Sequence, residues 1–416
     1  GDLIGVLYRV DRWLVHDRLH GKLWLLAPPG DVWASAVERL LDANLSSLRP
    51  WRCESGPEQL QGAGVVSTID DEFHANAVRT VQRAISAGQL YQLNFGRRWT
   101  GPLRETPWEL MQRLFVCNAA PYSSFLQVPD EGLALCSCTP ELLLEIGGST
   151  ASTCPIKGTC KRGASPQEDE ALRQEMVQSK KEVAEHLMLV DLERHDLARV
   201  CAAGTVFWDR WRIESFPRVQ HMVSRVLGRL RPDCDSWDAL SALFPGGSIT
   251  GCPKTATIAA IDQLEQSSRR SWTGSMGVVD LASGDSSWNI LIRTLEARAS
   301  ADAGDRWTAG VMAGGGLTIG SVPEDEVEEA KAKASRLLAT AFGVGVDPVA
   351  SAGGGGGSTS SSAAAPQADL EMHPVEPLNP RVGAILAALA HSKAGLARLK
   401  AGGARGGGGP PRPPGG

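Results

Sequence analysis

Lys157 stands in the run Pro155-Ile156-Lys157-Gly158-Thr159, after an apolar segment (Leu142 to Ile146) that reads as a strand and before a polar segment that opens a helix. A lysine at the end of a strand has rigid backbone beneath it and can point into a cleft. Among apolar neighbours an ammonium loses hydration and its pKa falls, which leaves part of it as a free amine able to attack carbon. An isolated lysine of this kind is ordinarily a surface residue, so the reading depends on what else the chain provides. Two carboxylate pairs share one spacing. Ser165-Pro166-Gln167-Glu168 has the form of a capping box with proline at the first helical position. The helix it opens is expected to run through Glu182 and Glu185, which share a face at i, i+3. Ser321-Val322-Pro323-Glu324 opens a second helix in the same way, with Glu326 and Glu329 on one face. Either pair alone is most simply a solvated helix face. Gly314, Gly315 and Gly316 carry no Cβ, so their N–H groups can approach an anion closely. The segment Gly246-Gly247-Ser248-Ile249-Thr250-Gly251-Cys252-Pro253-Lys254-Thr255 looks like a phosphate loop, but Cys252 and Pro253 break the spacing that brings lysine onto a phosphate. Nucleotide binding is not expected.

The elements that must position these residues mix strands and helices without a strict βαβ order, which favours antiparallel sheets with helices outside, an α+β fold. Leu7 to Asp17 alternates and reads as a strand with Lys22 to Leu26 as its hairpin partner, and Ala34 to Leu45 reads as a short helix. Residues 46–69 are loop-rich. Residues 349–416 hold 15 Gly and 8 Pro in 68 positions, too little apolar surface to offset chain entropy, and read as a disordered tail with one weak basic helix over Arg381 to Lys400. The net charge of −5 and the lack of a Lys/Arg stripe exclude a nucleic-acid reading. Nine cysteines without paired zinc-type spacing point to reduced thiols, and Cys136-Ser137-Cys138 reads as strand packing rather than half a metal site. No apolar run reaches the length of a membrane span and no signal peptide is visible. A soluble protein of a reducing compartment, the cytoplasm or a plastid stroma, is expected.

A series of blocks in one order carries a family resemblance over residues 70–343. They are Tyr91-Gln92-Leu93-Asn94, Thr139-Pro140-Glu141, Pro155 to Thr159, Ala184 to Leu192, Val219-Gln220-His221, Phe244 to Gly251, Trp272-Thr273-Gly274-Ser275, Asn289 to Thr294 and Ala313 to Gly316. The chain resembles the chorismate-utilising enzymes. Lysine in the third block is what aminodeoxychorismate synthases carry, where anthranilate synthases usually have alanine. The resemblance implies two large antiparallel sheets packed face to face, with the active site in the cleft between them. It also implies that residues 1–69 are the remainder of a truncated amino-terminal subdomain, since such a hairpin lies in the middle of one, and that residues 70–348 form the catalytic domain. It implies Mg²⁺ on the four glutamates, with Glu185 and Glu329 as the nearest ligands and Glu182 and Glu326 acting through water. The metal would grip the ring carboxylate of chorismate.

The same resemblance gives roles to single residues. Lys157 attacks ring carbon 2, Glu141 protonates the departing 4-hydroxyl, and His221 orients or polarises the ring. Arg293 clamps the enolpyruvyl carboxylate, and Thr159, Gln92, Trp272 and the glycines 314–316 line the substrate. Gln92 falls near the place where isochorismate synthases use a lysine base, and an amide cannot remove that proton. Ammonia would come from a glutamine amidotransferase on another chain or upstream of Gly1. Several positions depart from the family pattern: Trp272 replaces a tyrosine, removing a hydroxyl that can bond a carboxylate, and His195 replaces an asparagine. Thr255 to Thr257 lack an arginine often found after Pro-Lys, and Cys160-Lys161 stand where arginine and proline are common. The expected activity is aminodeoxychorismate synthesis for para-aminobenzoate and folate. Anthranilate synthesis and a non-catalytic chorismate-binding paralogue are the alternatives.

Overall fold

The twelve-residue strand Gln92–Leu103 sends its alternate positions to opposite faces, as a pleated strand must. Leu93 and Phe95 pack with Phe73, Val78 and Val81 of helix Asp71–Ser86 and with Ile261 and Leu264 of helix Lys254–Leu264. Trp99 packs with Leu110, Met111 and Leu114 of helix Pro107–Cys117 and with Leu337, Leu338 and Phe342 of helix Pro323–Phe342. Each fully buried side chain of this size stabilises the fold by about 1.5–3 kcal/mol. Gln92, Asn94 and Gly96 are left to the opposite, polar face.

This computed structural model describes residues 5–44, 64–209, 211–215, 219–300, 306–343 and 350–351. The chain divides into two units, Gly1–Gly56 and Pro57–Gly416. In the first, Trp13–Asp17 and Lys22–Leu26 form the expected hairpin, its first strand beginning six residues later than the expected Leu7, and the expected helix runs over Val32–Asn44.

The second unit is α+β. In its eight-stranded sheet, Gln92–Leu103 pairs along its length with Trp307–Leu317, followed outward by Thr294–Ala299, Leu133–Ser137 and Ser124–Val128. In its six-stranded sheet the central strands are Thr150–Cys154, Leu142–Gly147 and Ser286–Asn289. Leu143, Leu144 and Ile146 there pack with Val190 and Leu197 of helix Lys180–Ala198 and with Trp237, Leu240 and Leu243 of helix Ser236–Leu243. A three-stranded sheet, Arg212–Ser215, Val219–Val223 and Ile156–Lys161, adds to the two expected large ones.

Two chain segments cross between the large sheets side by side. Leu133–Ser137 continues through 138–141 into Leu142–Gly147, and Ser286–Asn289 continues through 290–293 into Thr294–Ala299. Backbone bonds tie them together: Cys138 N–H donates to Arg293 O at 3.1 Å, and Ile290 N–H donates to Glu141 O at 3.1 Å. This arrangement brings Glu141 and Arg293 to one place.

Several expectations change. Lys157 is not at the end of the strand Leu142–Gly147; two turns of chain later it is the second residue of strand Ile156–Lys161. The helix opened at Ser165 ends at Gln178, and Ser179 then caps a separate helix, its Oγ accepting from Glu182 N–H at 3.3 Å. Ser321 does not cap its helix; Val322 holds that position without a side-chain bond, because the Ser321 hydroxyl is spent on Glu326. Ala350–Ser351 is a short strand parallel to Val66–Ser67, within the span 349–416 expected to be a disordered tail. The remaining tail, with its weak helix, lies outside the described residues, as do residues 45–63 of the loop-rich segment. Cys136 and Cys138 are buried strand and strand-end residues, and the eight described cysteines are free thiols. No described helix is long and apolar enough to cross a membrane.

Candidate active site

The Lys157 side chain crosses from its strand to the helix Lys180–Ala198, where Nζ meets Glu185 Oε2 at 2.7 Å. The two side chains are only 23% and 11% exposed, so solvent screens the pair weakly. Burial alone would lower the lysine pKa, but the charge and hydrogen bond of Glu185, reinforced by Glu329 and Glu182, raise it above the ordinary value. The expectation of a free amine made by apolar neighbours is thereby overturned: the neighbours are carboxylates, and they hold the proton on. Gly158 follows with φ +84, a left-handed conformation suited to glycine, and a Cβ there would press on Glu182 Oε2, Met176 and Met222 at 3.4 Å.

The second carboxylate pair approaches from the helix Pro323–Phe342. Glu326 is 7% exposed and its Oε1 accepts from Ser321 Oγ at 2.7 Å. Burial raises its pKa, the Ser321 bond lowers it, and the neighbouring charge of Glu329 raises it further, for a net rise. Glu329 Oε1 pairs with Lys333 Nζ at 2.6 Å, and Lys333 also donates to Gly314 O at 2.8 Å. Burial works to raise the Glu329 pKa, but Lys333 and Lys157 outweigh it and the net shift is downward. The glycines 314–316 are explained by close packing. A Cβ on Gly315 would come within 2.9 Å of Glu326 Oε2 and 3.5 Å of Glu329 Oε1, one on Gly316 would strike the Gln92 amide, and one on Gly314 the backbone of Phe95 and Gly96. Gln92 is itself buried at the start of its strand.

Glu141 is 5% exposed, and burial pushes its carboxyl up to about 7 against the pull of Ser248, Lys333, Arg293 and Lys157. Ser248 Oγ donates to Glu141 Oε1 at 2.8 Å, while Asn94 Nδ2 donates to Ser248 O at 3.5 Å, so this serine bridges the strand Gln92–Leu103 and the crossover segment. Arg293 holds a strained φ of +48, uncommon for a non-glycine residue. Its guanidinium makes no hydrogen bond or ion pair among the described residues, which leaves it available to an anion. His221 is buried in the strand beside Lys157, its residue paired with Thr159, of which the backbone alone is described. Burial, with Arg293 nearby, lowers the His221 pKa to about 4 against a bond to the Gly158 backbone, so the ring is neutral.

The four glutamates are hard oxygen donors, and all four act electrostatically on Lys157. Among the described residues no three His, Cys, Asp or Glu side chains gather as a metal cage. Magnesium does not require one, since it takes one or two carboxylates and keeps several waters. By donor chemistry the residues fit such an ion, and the ammonium groups of Lys157 and Lys333 now carry the compensating charge.

A family model described as chorismate binding enzyme matches residues 5–339. The chain belongs to this family. It is 35% identical over 340 residues to an anthranilate synthase component I-like protein of Synechocystis, covering 81% of this chain and 66% of that protein. It is 36% identical over 328 residues to aminodeoxychorismate synthase component 1 of Bacillus subtilis, covering 77% and 67%. The chain thus spans about two thirds of the length of these relatives. The crystal structure of anthranilate synthase component I from Streptococcus pneumoniae superposes with a TM-score of 0.64 at 27% identity, covering 79% of this chain and 72% of that one. The menaquinone-specific isochorismate synthase of Escherichia coli, at 18% identity and a TM-score of 0.60, shares the fold.

Within this member of the family the sequence reading missed Ser248 and Lys333. Ser248 lies in a segment read as a family block and weighed against a phosphate loop, with no role given to the serine; the signal for Lys333 is its place four residues after Glu329 on one helix face. Trp272, placed with the substrate residues, is buried by packing: its indole occupies the space beside Gly96 and lies under the Arg269 guanidinium, 4.7 Å from the ring. Gly96→Ala is therefore expected to destabilise the fold by about 1–3 kcal/mol, read by urea unfolding. Adding Trp272→Tyr, which trims the indole, should recover part of that loss. Equal stability of Gly96→Ala and wild type would contradict this packing.

Proposed function

We propose that this protein is an aminodeoxychorismate synthase, joining chorismate and ammonia to give 4-amino-4-deoxychorismate and water. The observation that carries the reading is Lys157: it lies among the four glutamates, with Glu141 in the same electrostatic neighbourhood. Relatives named for aminodeoxychorismate and anthranilate synthesis match almost equally well, so overall similarity does not choose between them. Lysine at this position favours the aminodeoxychorismate reading, by the family pattern. In the mechanism Lys157 first releases to water the proton that its carboxylate neighbours hold, and the free amine then bonds to ring carbon 2 as the double bond shifts and the carbon 4–oxygen bond breaks. Glu141 delivers a proton to the departing hydroxyl, which leaves as water. Ammonia then bonds to carbon 4 while the Lys157–carbon 2 bond breaks, and the enolpyruvyl group is retained throughout. Arg293 holds a substrate carboxylate with its uncommitted guanidinium, and neutral His221 orients the ring. Mg²⁺, when bound by the glutamates, supplies positive charge for the other carboxylate and competes with the lysines for these oxygens. Ammonia would come from a glutamine amidotransferase.

Incubation with chorismate, Mg²⁺ and ammonium, followed by product analysis, tests the reading. Aminodeoxychorismate is expected; anthranilate would make the chain an anthranilate synthase, and no product a binding paralogue. The metal role has its own check. Glu185→Gln and Glu329→Gln should each raise the Mg²⁺ concentration needed for half-maximal rate by about tenfold or more, each losing a charged oxygen ligand. Unchanged Mg²⁺ dependence in both would leave these carboxylates as lysine counter-ions only.

A further inference from the structure

Glu193 lies on the helix Lys180–Ala198, two turns past Glu185, and is 2% exposed. Nothing in the proposed reaction uses it. Its Oε2 has no hydrogen-bond partner among the described residues. The nearest cation, Lys254, is already committed: its Nζ pairs with Asp196 Oδ2 at 2.5 Å and donates to Leu243 O at 3.0 Å. The groups facing Glu193 are therefore Asp196 on its own helix, Lys254 at the start of the helix Lys254–Leu264, Glu141 at the sheet crossover, and the backbone N–H of Gly247. Burial dominates and pushes its carboxyl up to about 8, so at neutral pH it is protonated.

Gly247 joins the two carboxyls. It begins the short helix Gly247–Thr250, and it is glycine because a Cβ would run into Leu192 and stand 3.6 Å from Glu193 Oε1. The next residue is Ser248, whose hydroxyl donates to Glu141 at 2.8 Å. One face of a two-residue segment thus meets Glu193, and the other meets the acid of the proposed reaction.

We propose that Glu193 is a positioning residue: its carboxyl takes the Gly247 N–H and so fixes the Gly247–Ser248 segment with the serine hydroxyl on Glu141. The inference rests on the reading of Glu141 as the acid, but its geometry is independent of which product the enzyme makes. Ser248 favours the ionised form of Glu141, so anything that moves Ser248 away makes Glu141 a weaker acid.

The test is a direct titration of the Glu141 carboxyl by carbon-13 NMR of glutamate-labelled protein, assigned with Glu141→Gln. Ser248→Ala should raise its pKa by about one unit, the worth of one charge-assisted hydrogen bond. Glu193→Met, which fills the volume but offers no oxygen to Gly247, should raise it in the same direction, and adding Ser248→Ala should raise it little further. Glu193→Gln keeps an acceptor without charge and should leave the titration in place. An unmoved titration in Glu193→Met, or an equal shift in Glu193→Gln, overturns the proposal. Because the readout is the carboxyl itself, failure of wild type to convert chorismate would refute the functional reading and leave this result standing on its own.

Discussion

Lys157→Arg is expected to fold normally and to make no aminodeoxychorismate, a loss of more than about 10³ in rate if the lysine is the nucleophile, in the range seen when a group acting only in the transition state is removed. A guanidinium stays protonated and cannot attack carbon, yet it can still satisfy Glu185, which now takes the ammonium at 2.7 Å. Lys157→Ala is less clean, because it leaves a carboxylate 11% exposed without its counter-ion, and removing one member of a buried pair costs up to about 3–5 kcal/mol. It should nevertheless open a path in which ammonia attacks carbon 2 directly, so an anthranilate-type product is expected in small amount. Wild type given chorismate and Mg²⁺ without ammonia should carry an adduct on the peptide holding Lys157, seen by intact mass and peptide mapping. Neither variant should carry it. Full aminodeoxychorismate output from Lys157→Ala, with no adduct on wild type, would end the covalent mechanism.

What is legible in the sequence is local. The hairpin at Trp13–Leu26 follows from short-range sequence, and Glu326 and Glu329 lie on the helix Pro323–Phe342, whose start carries a proline. What was not legible depends on partners far away in the chain. The protonation of Lys157 is set by Glu185, Glu329 and Glu182 on two different helices, so a reading from its apolar neighbours gave the wrong sign. Ser321 looked like a cap because of the proline two residues on, but a buried Glu326 five residues away claims its hydroxyl. The glycines 314–316 were read for what could approach them from outside; the strand Gln92–Leu103 and the helix Pro323–Phe342 already occupy that space. The break at Ser179 is different: a serine three residues before Glu182 was a readable helix start, outweighed by the longer helical pattern around it.

Glu141→Gln should lower the turnover number by about 10²–10⁴, the usual worth of a general acid, with a much smaller change in KM. The amide is isosteric and can keep accepting from Ser248, so the fold and the crossover should survive. The pH profile supplies the discriminating feature. Burial raises the Glu141 carboxyl to about 7, so below that pH it carries the proton that the departing hydroxyl needs. Rate should therefore fall as pH rises through about 7, and the fall belongs to Glu141. In Glu141→Gln the low residual rate should show no such limb, because the amide does not titrate. Adduct formation at Lys157 should slow by the same factor, since carbon–nitrogen bond formation and departure of the hydroxyl occur in one step. A variant that kept the limb while losing rate would place the acid elsewhere and leave Glu141 a structural carboxyl; a variant with full rate would remove it from the mechanism altogether.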